Sequence, residues 1–222
     1  MKSFRFAIAA AVLFLAAVPT FAAERFFDIK AYASWVDFNS SGTFNATPAG
    51  DRPVNINFDP KQGWGAAANI FLGSHLSLEV AGTEVRPEAS FGPAAGTNFQ
   101  GGDVKMLTLT GIVQFHFAPT GKIDPYIGAG AAYVLFDDLK DARNISDVHF
   151  SEINFKDDAG LALNAGLDIG LTPHFGLVID GKYVPIRSSA TANFAGSAGS
   201  GSTRTDIKSN PVILSGGVRI SF

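Results

Sequence analysis

The sequence predicts an all-β fold, namely an eight-stranded antiparallel transmembrane β-barrel with long extracellular loops and short periplasmic turns. Three observations predict it: an amphipathic strand at the carboxyl terminus, eight segments in which apolar and polar residues alternate, and connections that are alternately long and short. The alternation is clearest in residues 212–222, because successive side chains of a strand point to opposite faces. One face there carries Val212, Leu214, Val218, Ile220 and Phe222.

The amino terminus has the pattern of a secretory signal peptide. Lys2 and Arg5 supply positive charge, residues 6–18 are apolar, and small residues precede Glu24. We therefore expect residues 1–23 to be a cleaved signal peptide and residues 24–222 to form a single barrel domain. The alternative is a membrane-anchoring helix, but the apolar run is shorter than the ~20 residues that a spanning helix needs.

Composition excludes several classes of function. The chain has no cysteine, which rules out a disulfide framework, a metal–thiolate site and a thiol nucleophile. Its formal net charge is −3, and it becomes more negative once the two basic residues of the signal peptide are removed. That balance argues against nucleic acid as a partner.

Eight segments show the alternating hydrophobicity over ~10 residues that is typical of outer-membrane strands. None of their apolar faces carries a charge in its central band, where a lysine or arginine would cost ~2–4 kcal/mol in a bilayer. The segments are residues 26–38, 63–72, 75–85, 103–117, 125–136, 159–170, 174–186 and 212–222.

The connections between these segments alternate in length. The short ones are residues 73–74, 118–124 and 171–173, and the long ones are residues 39–62, 86–102, 137–158 and 187–210. Long external loops and short periplasmic turns are the rule for outer-membrane barrels. The Gly- and Ser-rich residues 187–205 are expected to form a flexible loop.

Aromatic residues on the apolar faces separate into two groups, as expected for girdles at the two membrane interfaces. The group at the turn end is Phe27, Phe117, Phe175 and Phe222. The group at the loop end is Trp35, Trp64, Tyr133 and Tyr183.

The other face of each segment is predicted to line the barrel interior, and near the turn end it is strongly polar. Eight strands leave an interior just wide enough for side chains to fill. Charges packed that tightly must pair or form hydrogen bonds, so we predict a salt-bridged floor that blocks the barrel. Its predicted members are Asp28, Lys30, Glu79, His116, Asp168, Asp180, Lys182 and Arg219.

Near the loop end the interior face becomes mostly apolar. This asymmetry predicts a well that would favour an acyl chain or an aromatic compound over a water-soluble solute. The predicted ligand-binding residues are Val36, Phe38, Val85, Met106, Val134, Phe136, Val184, Ile186 and Ile213. The alternative is that these side chains fill the top of a stable barrel and bind nothing.

Three residues of the lipid face weaken a strand. Pro185 lacks a ladder donor, and Gly82 and Gly181 have no side chain to pack. A side opening toward the bilayer is one interpretation, and ordinary barrel curvature is the alternative for the glycines.

No pattern of residues predicts a catalytic, cofactor or metal site. Ser188 and Ser189 lack a convincing histidine and aspartate partner, and the four histidines lack metal-ligand spacing. His116 could meet Asp180 or Asp28, but a salt bridge is more plausible there than an active site. We therefore expect a protein that is not an enzyme and has no cofactor.

Several short motifs resemble the OmpW family of small outer-membrane barrels. They are Asp-Pro-Tyr-Ile-Gly-Ala-Gly at residues 124–130, Asn-Ala-Gly-Leu-Asp at 164–168, Gly-Lys-Tyr-Val-Pro-Ile at 181–186, Thr-Ala-Asn-Phe at 191–194 and Asn-Pro at 210–211. The resemblance spans essentially the whole chain after residue 23. It implies an eight-stranded barrel with a hydrophobic interior channel, passage of small hydrophobic molecules, and colicin reception by some members.

Together these features predict a protein of the bacterial cell outer membrane that binds or passes small hydrophobic molecules. The alternative is a structural or adhesive barrel that acts through its surface loops, in envelope integrity or as a phage or colicin receptor. The expected partners are outer-membrane lipid and small hydrophobic molecules, with colicin or phage under the alternative. The sequence leaves the oligomeric state open.

Overall fold

The computed structural model describes residues 25–45, 53–93, 99–137, 139–140, 144–145, 148–196 and 199–222. The predicted signal peptide, residues 1–23, lies outside the described residues. The described strands are, in chain order, β1 (Phe27–Asp37), β2 (Ser40–Asn45), β3 (Pro53–Phe58), β4 (Lys61–Phe71), β5 (Leu76–Val85), β6 (Glu88–Pro93), β7 (Phe99–Asp103), β8 (Met106–His116), β9 (Ile123–Phe136), β10 (Leu139–Lys140), β11 (Asn144–Ile145), β12 (Val148–Phe155), β13 (Asp158–Gly170), β14 (Phe175–Tyr183), β15 (Ile186–Gly196), β16 (Gly199–Ser209) and β17 (Val212–Ser221).

Eight of these strands close into an antiparallel barrel, which confirms the predicted fold. Around the barrel the order is β1, β4, β5, β8, β9, β13, β14 and β17, and β17 pairs with β1 to close the sheet. Each barrel strand corresponds to one predicted segment. The largest differences are of three residues: the fourth strand begins at Met106 instead of residue 103, and the seventh stops at Tyr183 instead of residue 186. The seventh stops there because Pro185 follows and the Val184 amide bonds to Pro211.

The predicted faces are also confirmed, because buried and exposed residues alternate along every barrel strand. Twenty-five large hydrophobic side chains of the described residues are at least 37% exposed, and nearly all of them lie on the barrel exterior. Such an apolar outer surface is what a bilayer requires. Of the loop-end aromatic group, Trp35, Trp64, Tyr133 and Tyr183 all face outward.

The sequence had predicted loops for the long connections, but their described residues mostly form strands instead. They contain nine further strands, which continue the barrel wall beyond the predicted membrane band as a second sheet. The order in this sheet is β10, β12, β15, β16, β2, β3, β6 and β7, with β11 paired to β12. We call this sheet the collar, and we call the two ends of the barrel the collar end and the turn end.

Residues 187–205 were predicted to be a flexible loop, but their described part, residues 187–196 and 199–205, forms most of a regular hairpin. β15 and β16 pair continuously from Ile186 opposite Ser209 to Gly196 opposite Gly199. Ala190, Ala192 and Ile207 from this hairpin are buried in the main hydrophobic cluster. The low-complexity composition concealed this pairing, because glycine and serine carry little strand signal.

None of the described segments forms a helix long and apolar enough to cross a membrane.

Candidate functional site

The lumen of the barrel has two layers, a charged floor toward the turn end and an apolar layer toward the collar end. All eight side chains predicted for the floor are buried and point inward. They come from six strands, so their contacts cross the lumen instead of following one ladder. These residues are Asp28, Lys30, Glu79, His116, Asp168, Asp180, Lys182 and Arg219.

Glu79 lies between two lysines in the floor. Lys30 Nζ is 3.0 Å from Glu79 Oε2, and Lys182 Nζ is 3.1 Å from Glu79 Oε1. Lys182 Nζ also lies 2.5 Å from Asp180 Oδ1. Because Lys30 and Glu79 are each only 1% exposed, no passage of water width runs beside them.

Arg25 is a member of the floor that the sequence analysis missed. Its guanidinium donates to Asp28, to Asp168 Oδ2 at 2.5 Å and to Asp124 Oδ2 at 3.3 Å. It lies just before β1, outside the predicted strand. A signal for it existed, since the predicted floor held four carboxylates against only three permanently basic groups.

His116 pairs with a carboxylate that was not predicted to meet it. Its Nδ1 is 2.7 Å from Asp124 Oδ2, and its Nε2 is 3.0 Å from Ser77 Oγ. The partners predicted from the sequence, Asp180 or Asp28, are therefore wrong. Asp124 stands at the start of β9, within a segment that the sequence assigned to a turn.

A row of amides and one tyrosine completes the floor. Asn69 Nδ2 donates to Gln114, Gln114 Nε2 donates to Asn164, and Asn164 Nδ2 donates to Asp180. The hydroxyl of Tyr126 also donates to Asp180 Oδ2, at 2.8 Å. Since each group is buried, these hydrogen bonds offset the desolvation of the polar atoms.

Within the described part of the chain, the floor includes one group with metal-ligand atoms close together. Donor atoms of His116, Asp124 and Asp168 lie within 4.8 Å of one another. Arg25 donates to both carboxylates, and its positive charge disfavours a cation there. We interpret the group as part of the ion-pair network.

The upper lumen is apolar, and the structure brings the nine predicted ligand-binding residues together there. Eight of them are buried members of one hydrophobic cluster, and Phe136 packs against it. The eight are Val36, Phe38, Val85, Met106, Val134, Val184, Ile186 and Ile213. The sequence therefore located the lining of the upper lumen correctly, while the ligand-binding role stays a prediction.

The predicted open well is closed in this structure. Phe58 of β3 and Phe155 of β12 reach in from the collar, and ring centroids 5.8–5.9 Å apart link Phe38 to Phe58, Phe58 to Phe155 and Phe155 to Phe136. We call these four side chains the phenylalanine lid. The cavity left among the lid and its neighbours is about 10 Å³, which is room for about one water molecule. Phe58 and Phe155 were missed because their segments had been assigned to loops.

The barrel wall is interrupted at one place beside the upper lumen. The ladder between β13 and β14 runs only as far as Leu163 opposite Tyr183. Among the described residues, no ladder joins residues 158–162 of β13 to residues 184–186. We call this interruption the seam. It is closely packed, since a Cβ added to Gly160 would lie 2.5 Å from the Pro185 carbonyl oxygen.

A separate cavity of about 870 Å³ opens at the turn end. Arg25, Asp124, Asp168 and Arg219 line it, so it ends at the floor.

Comparison with known proteins is consistent with this architecture. A sequence model of the OmpW family matches residues 26–222. Outer membrane protein W of Vibrio cholerae is 31% identical over 114 residues, which cover 51% of this chain and 51% of that protein. Outer membrane protein W of Salmonella typhimurium is 26% identical over 150 residues, covering 65% and 71%. The chain thus spans about half the length of the Vibrio relative.

Solved structures show the same fold. The crystal structure of outer membrane protein OprG from Pseudomonas aeruginosa has a TM-score of 0.76 at 22% identity, covering 89% of this chain and 96% of that one. The solid-state NMR structure of outer membrane protein AlkL has a TM-score of 0.58 at 21% identity, covering 92% and 93%. The family match and the outer-membrane relatives place the barrel in the bacterial outer membrane, where the long connections of the collar end face outside the cell and the turn end faces the periplasm.

Proposed function

We propose, since this chain belongs to the OmpW family, that its barrel binds small hydrophobic molecules in the upper lumen and releases them sideways into the membrane. The observation that carries the proposal is the layering of the lumen. An apolar layer that includes Val36, Met106 and Val184 stands above a fully ion-paired floor. Burial of an apolar ligand there is favourable, whereas a polar solute would lose its hydration without finding partners.

Binding requires the phenylalanine lid to open, because the closed cavity is too small for any organic molecule. The lid is suited to this, since aromatic contacts are individually weak, about 0.5–1.5 kcal/mol each beyond the area they bury. A ligand that replaces Phe58 and Phe155 in the upper lumen restores the same kind of apolar contact.

The floor directs the ligand away from the periplasmic end. Lys30, Glu79 and Lys182 fill the lumen below the apolar layer with charge, so an apolar molecule meets a steep desolvation barrier there. The seam offers a shorter route, because Ala162 and Val184 of the upper lumen adjoin it and no backbone ladder has to break.

Uptake of the hydrophobic fluorophore N-phenyl-1-naphthylamine by cells producing the protein tests the lumen. Val184→Thr keeps the shape of the side chain and adds a buried hydroxyl, so uptake should fall by about tenfold if the ligand contacts it. Val113→Thr is the matched control, because Val113 faces the lipid. Equal uptake by both variants would show that the upper lumen is not the site.

A reversible cross-link tests the seam. The chain has no cysteine, so Ala162→Cys with Val184→Cys, the positions next to the last ladder pair Leu163 and Tyr183, gives a single possible disulfide. Oxidation should abolish uptake and reduction should restore it. The control is Ala67→Cys with Ala81→Cys, a directly opposed pair in the intact ladder of β4 and β5. Uptake that survives the seam cross-link excludes lateral release.

A second candidate is a structural or adhesive barrel that acts through its surface. The filled upper lumen favours it, because side chains already occupy the space. The β15–β16 hairpin cannot be deleted to test it, since Ala190, Ala192 and Ile207 belong to the core. Replacing only residues 195–200 with Asn-Gly shortens its tip and keeps a two-residue turn. Loss of phage, colicin or surface attachment with unchanged fluorophore uptake would favour this candidate.

A further inference from the structure

A groove of about 330 Å³ lies on the outer surface where the barrel meets the collar. Its lining includes four cationic side chains, Lys156, Arg187, Arg204 and Lys208. All four are exposed. This concentration of positive charge is not explained by the lumen, because the groove faces away from it.

The backbone pairing places two of these cations against each other. Arg187 of β15 and Lys208 of β16 are directly opposed, and both point outward, since Ile186, Ser188, Ile207 and Ser209 on either side are buried. Like charges opposed in an antiparallel pair destabilise a sheet. An anion bound between them would remove that repulsion.

Three carboxylates also line the groove, which leaves it a formal net charge of +1, and at least two of them accept hydrogen bonds from backbone amides. Asp158 Oδ2 accepts from the backbone amide of Arg187 at 2.7 Å. Asp157 accepts from the Phe136 amide at 3.1 Å. The third, Asp206, stands on β16 between Arg204 and Lys208. Among the described residues, none of the four cations is within 4.0 Å of a carboxylate oxygen.

Two other cations at the rim of the barrel do form ion pairs. Arg86 and Lys105 both pair with Glu84, at 3.2 Å and 3.3 Å. Each of these two cations is therefore held in a direct ion pair with a carboxylate. The four groove cations have no such pair among the described residues, so the Arg86–Lys105 pair provides a natural control for them.

The groove stands at the depth of the lipid headgroups. Tyr133 belongs to the external aromatic girdle, and its hydroxyl lies 3.4 Å from Asp157 in the groove wall. Arg187 follows the girdle residue Tyr183 by four positions, which corresponds to about 13 Å along a strand. Directly below, Leu161 and Leu163 of β13 present an exposed apolar surface to the acyl chains.

We propose that this groove binds the phosphorylated headgroup of an outer-leaflet glycolipid. Phosphate oxygens would bridge Arg187 and Lys208, since guanidinium and ammonium groups both bind phosphate well. The acyl chains would lie on Leu161 and Leu163. The ligand is a lipid and not inorganic phosphate, because exposed Leu161 and Leu163 lie on the same strand as Asp158 of the groove and offer acyl chains an apolar surface.

Native mass spectrometry of the full barrel with purified bisphosphorylated lipid A tests the proposal. Arg187→Gln with Lys208→Gln should weaken lipid A binding about tenfold or more, given ~1 kcal/mol for each basic residue near a charged lipid surface. Arg86→Gln with Lys105→Gln should change it less than about twofold. Lipid A from which both phosphates have been removed should bind the unaltered barrel as weakly as intact lipid A binds the groove variant.

Other outcomes overturn the proposal. Unchanged lipid A binding in the groove variant, or an equal loss in the rim control, shows that the groove is not the site. Displacement of lipid A by millimolar inorganic phosphate assigns the groove to a small anion instead of a lipid. A thermal melt by circular dichroism establishes that each variant is folded, and the groove variant should be at least as stable as the native barrel because the opposed charges are gone.

Discussion

The floor and the phenylalanine lid are built on the same barrel, but different forces close them. The floor is held by ion pairs such as Lys30 to Glu79, whose loss leaves a charge buried without a partner. The lid is held by aromatic contacts such as Phe58 to Phe155, which under the proposed function an apolar ligand replaces. Under that proposal, a lid that takes two of its four rings from the collar opens while the floor inside the barrel stays closed.

The largest expected effect comes from removing the central charge of the floor. Glu79→Gln leaves Lys30 and Lys182 without their shared carboxylate, and the free energy of unfolding should fall by about 3–5 kcal/mol. Urea unfolding in lipid vesicles, followed by tryptophan fluorescence, measures this. Glu84→Gln is the control at the exposed rim and should leave the midpoint unchanged. Equal midpoints for the two variants would contradict a stabilising floor.

Truncation of the lid should lower stability less than Glu79→Gln does. It should also raise uptake of the fluorophore. Phe58→Ala removes a buried ring that contacts Phe38 and Phe155, at a cost of about 3 kcal/mol. The enlarged cavity should at the same time raise the rate of N-phenyl-1-naphthylamine uptake. Phe117→Ala removes a ring from the periplasmic girdle instead and should not change uptake. A slower rate in Phe58→Ala would mean that Phe58 contributes more to binding the ligand than to closing the upper lumen.

A methyl group at Gly166 should loosen the floor without removing any charge. A Cβ there would lie 2.3 Å from the Tyr126 hydroxyl oxygen, so Tyr126 must shift and lose its hydrogen bond to Asp180. Gly166→Ala should therefore cost about 1–3 kcal/mol in the same unfolding experiment. Gly216→Ala is a matched control, because nothing lies within 4 Å of an added Cβ. Equal stability of the two glycine variants would show that close packing around Tyr126 does not stabilise the barrel.

The smallest expected effect has the opposite sign. The Thr110 hydroxyl is buried without a hydrogen-bond partner among the described residues. Thr110→Val removes the unsatisfied group and should be neutral or stabilising by up to about 1 kcal/mol. Ser34→Ala should be destabilising by comparison, since the Ser34 hydroxyl bonds to Ser215 at 2.8 Å. A loss of stability in Thr110→Val would reveal a polar role for that hydroxyl.

The alternation of residues predicted the barrel and the inward side chains, but not their partners. Lys30 and Glu79 were both placed in the floor, although only the register of β1, β4 and β5 brings their charged atoms to 3.0 Å. Arg25 escaped prediction because it precedes the first strand, and Asp124 because it was assigned to a turn. Contacts across a lumen join residues far apart in sequence, so no local pattern contains them.

The collar shows a different limit. Phe58 ends an alternating run, Val-Asn-Ile-Asn-Phe at residues 54–58, and Phe155 ends a run that a register shift between Phe150 and Glu152 interrupts. These strand signals existed, but the runs are short and the sequence placed them in loops. Their strands form because neighbouring strands extend beyond the membrane and offer unpaired backbone groups. These groups are satisfied by pairing, as in β15 with β16. Such pairing depends on the position of the barrel strands as well as on the propensity of the collar residues.

By itself, the sequence determined the eight strands, their two faces, and the division of the interior into a charged and an apolar layer. The physical reason is that a bilayer outside and a narrow lumen inside each constrain every second residue. Only the tertiary structure decided that the apolar layer is closed by four phenylalanines, that the wall is interrupted beside Pro185, and that Arg187 opposes Lys208. Those features depend on register and on contacts between distant strands, which alternation alone does not specify.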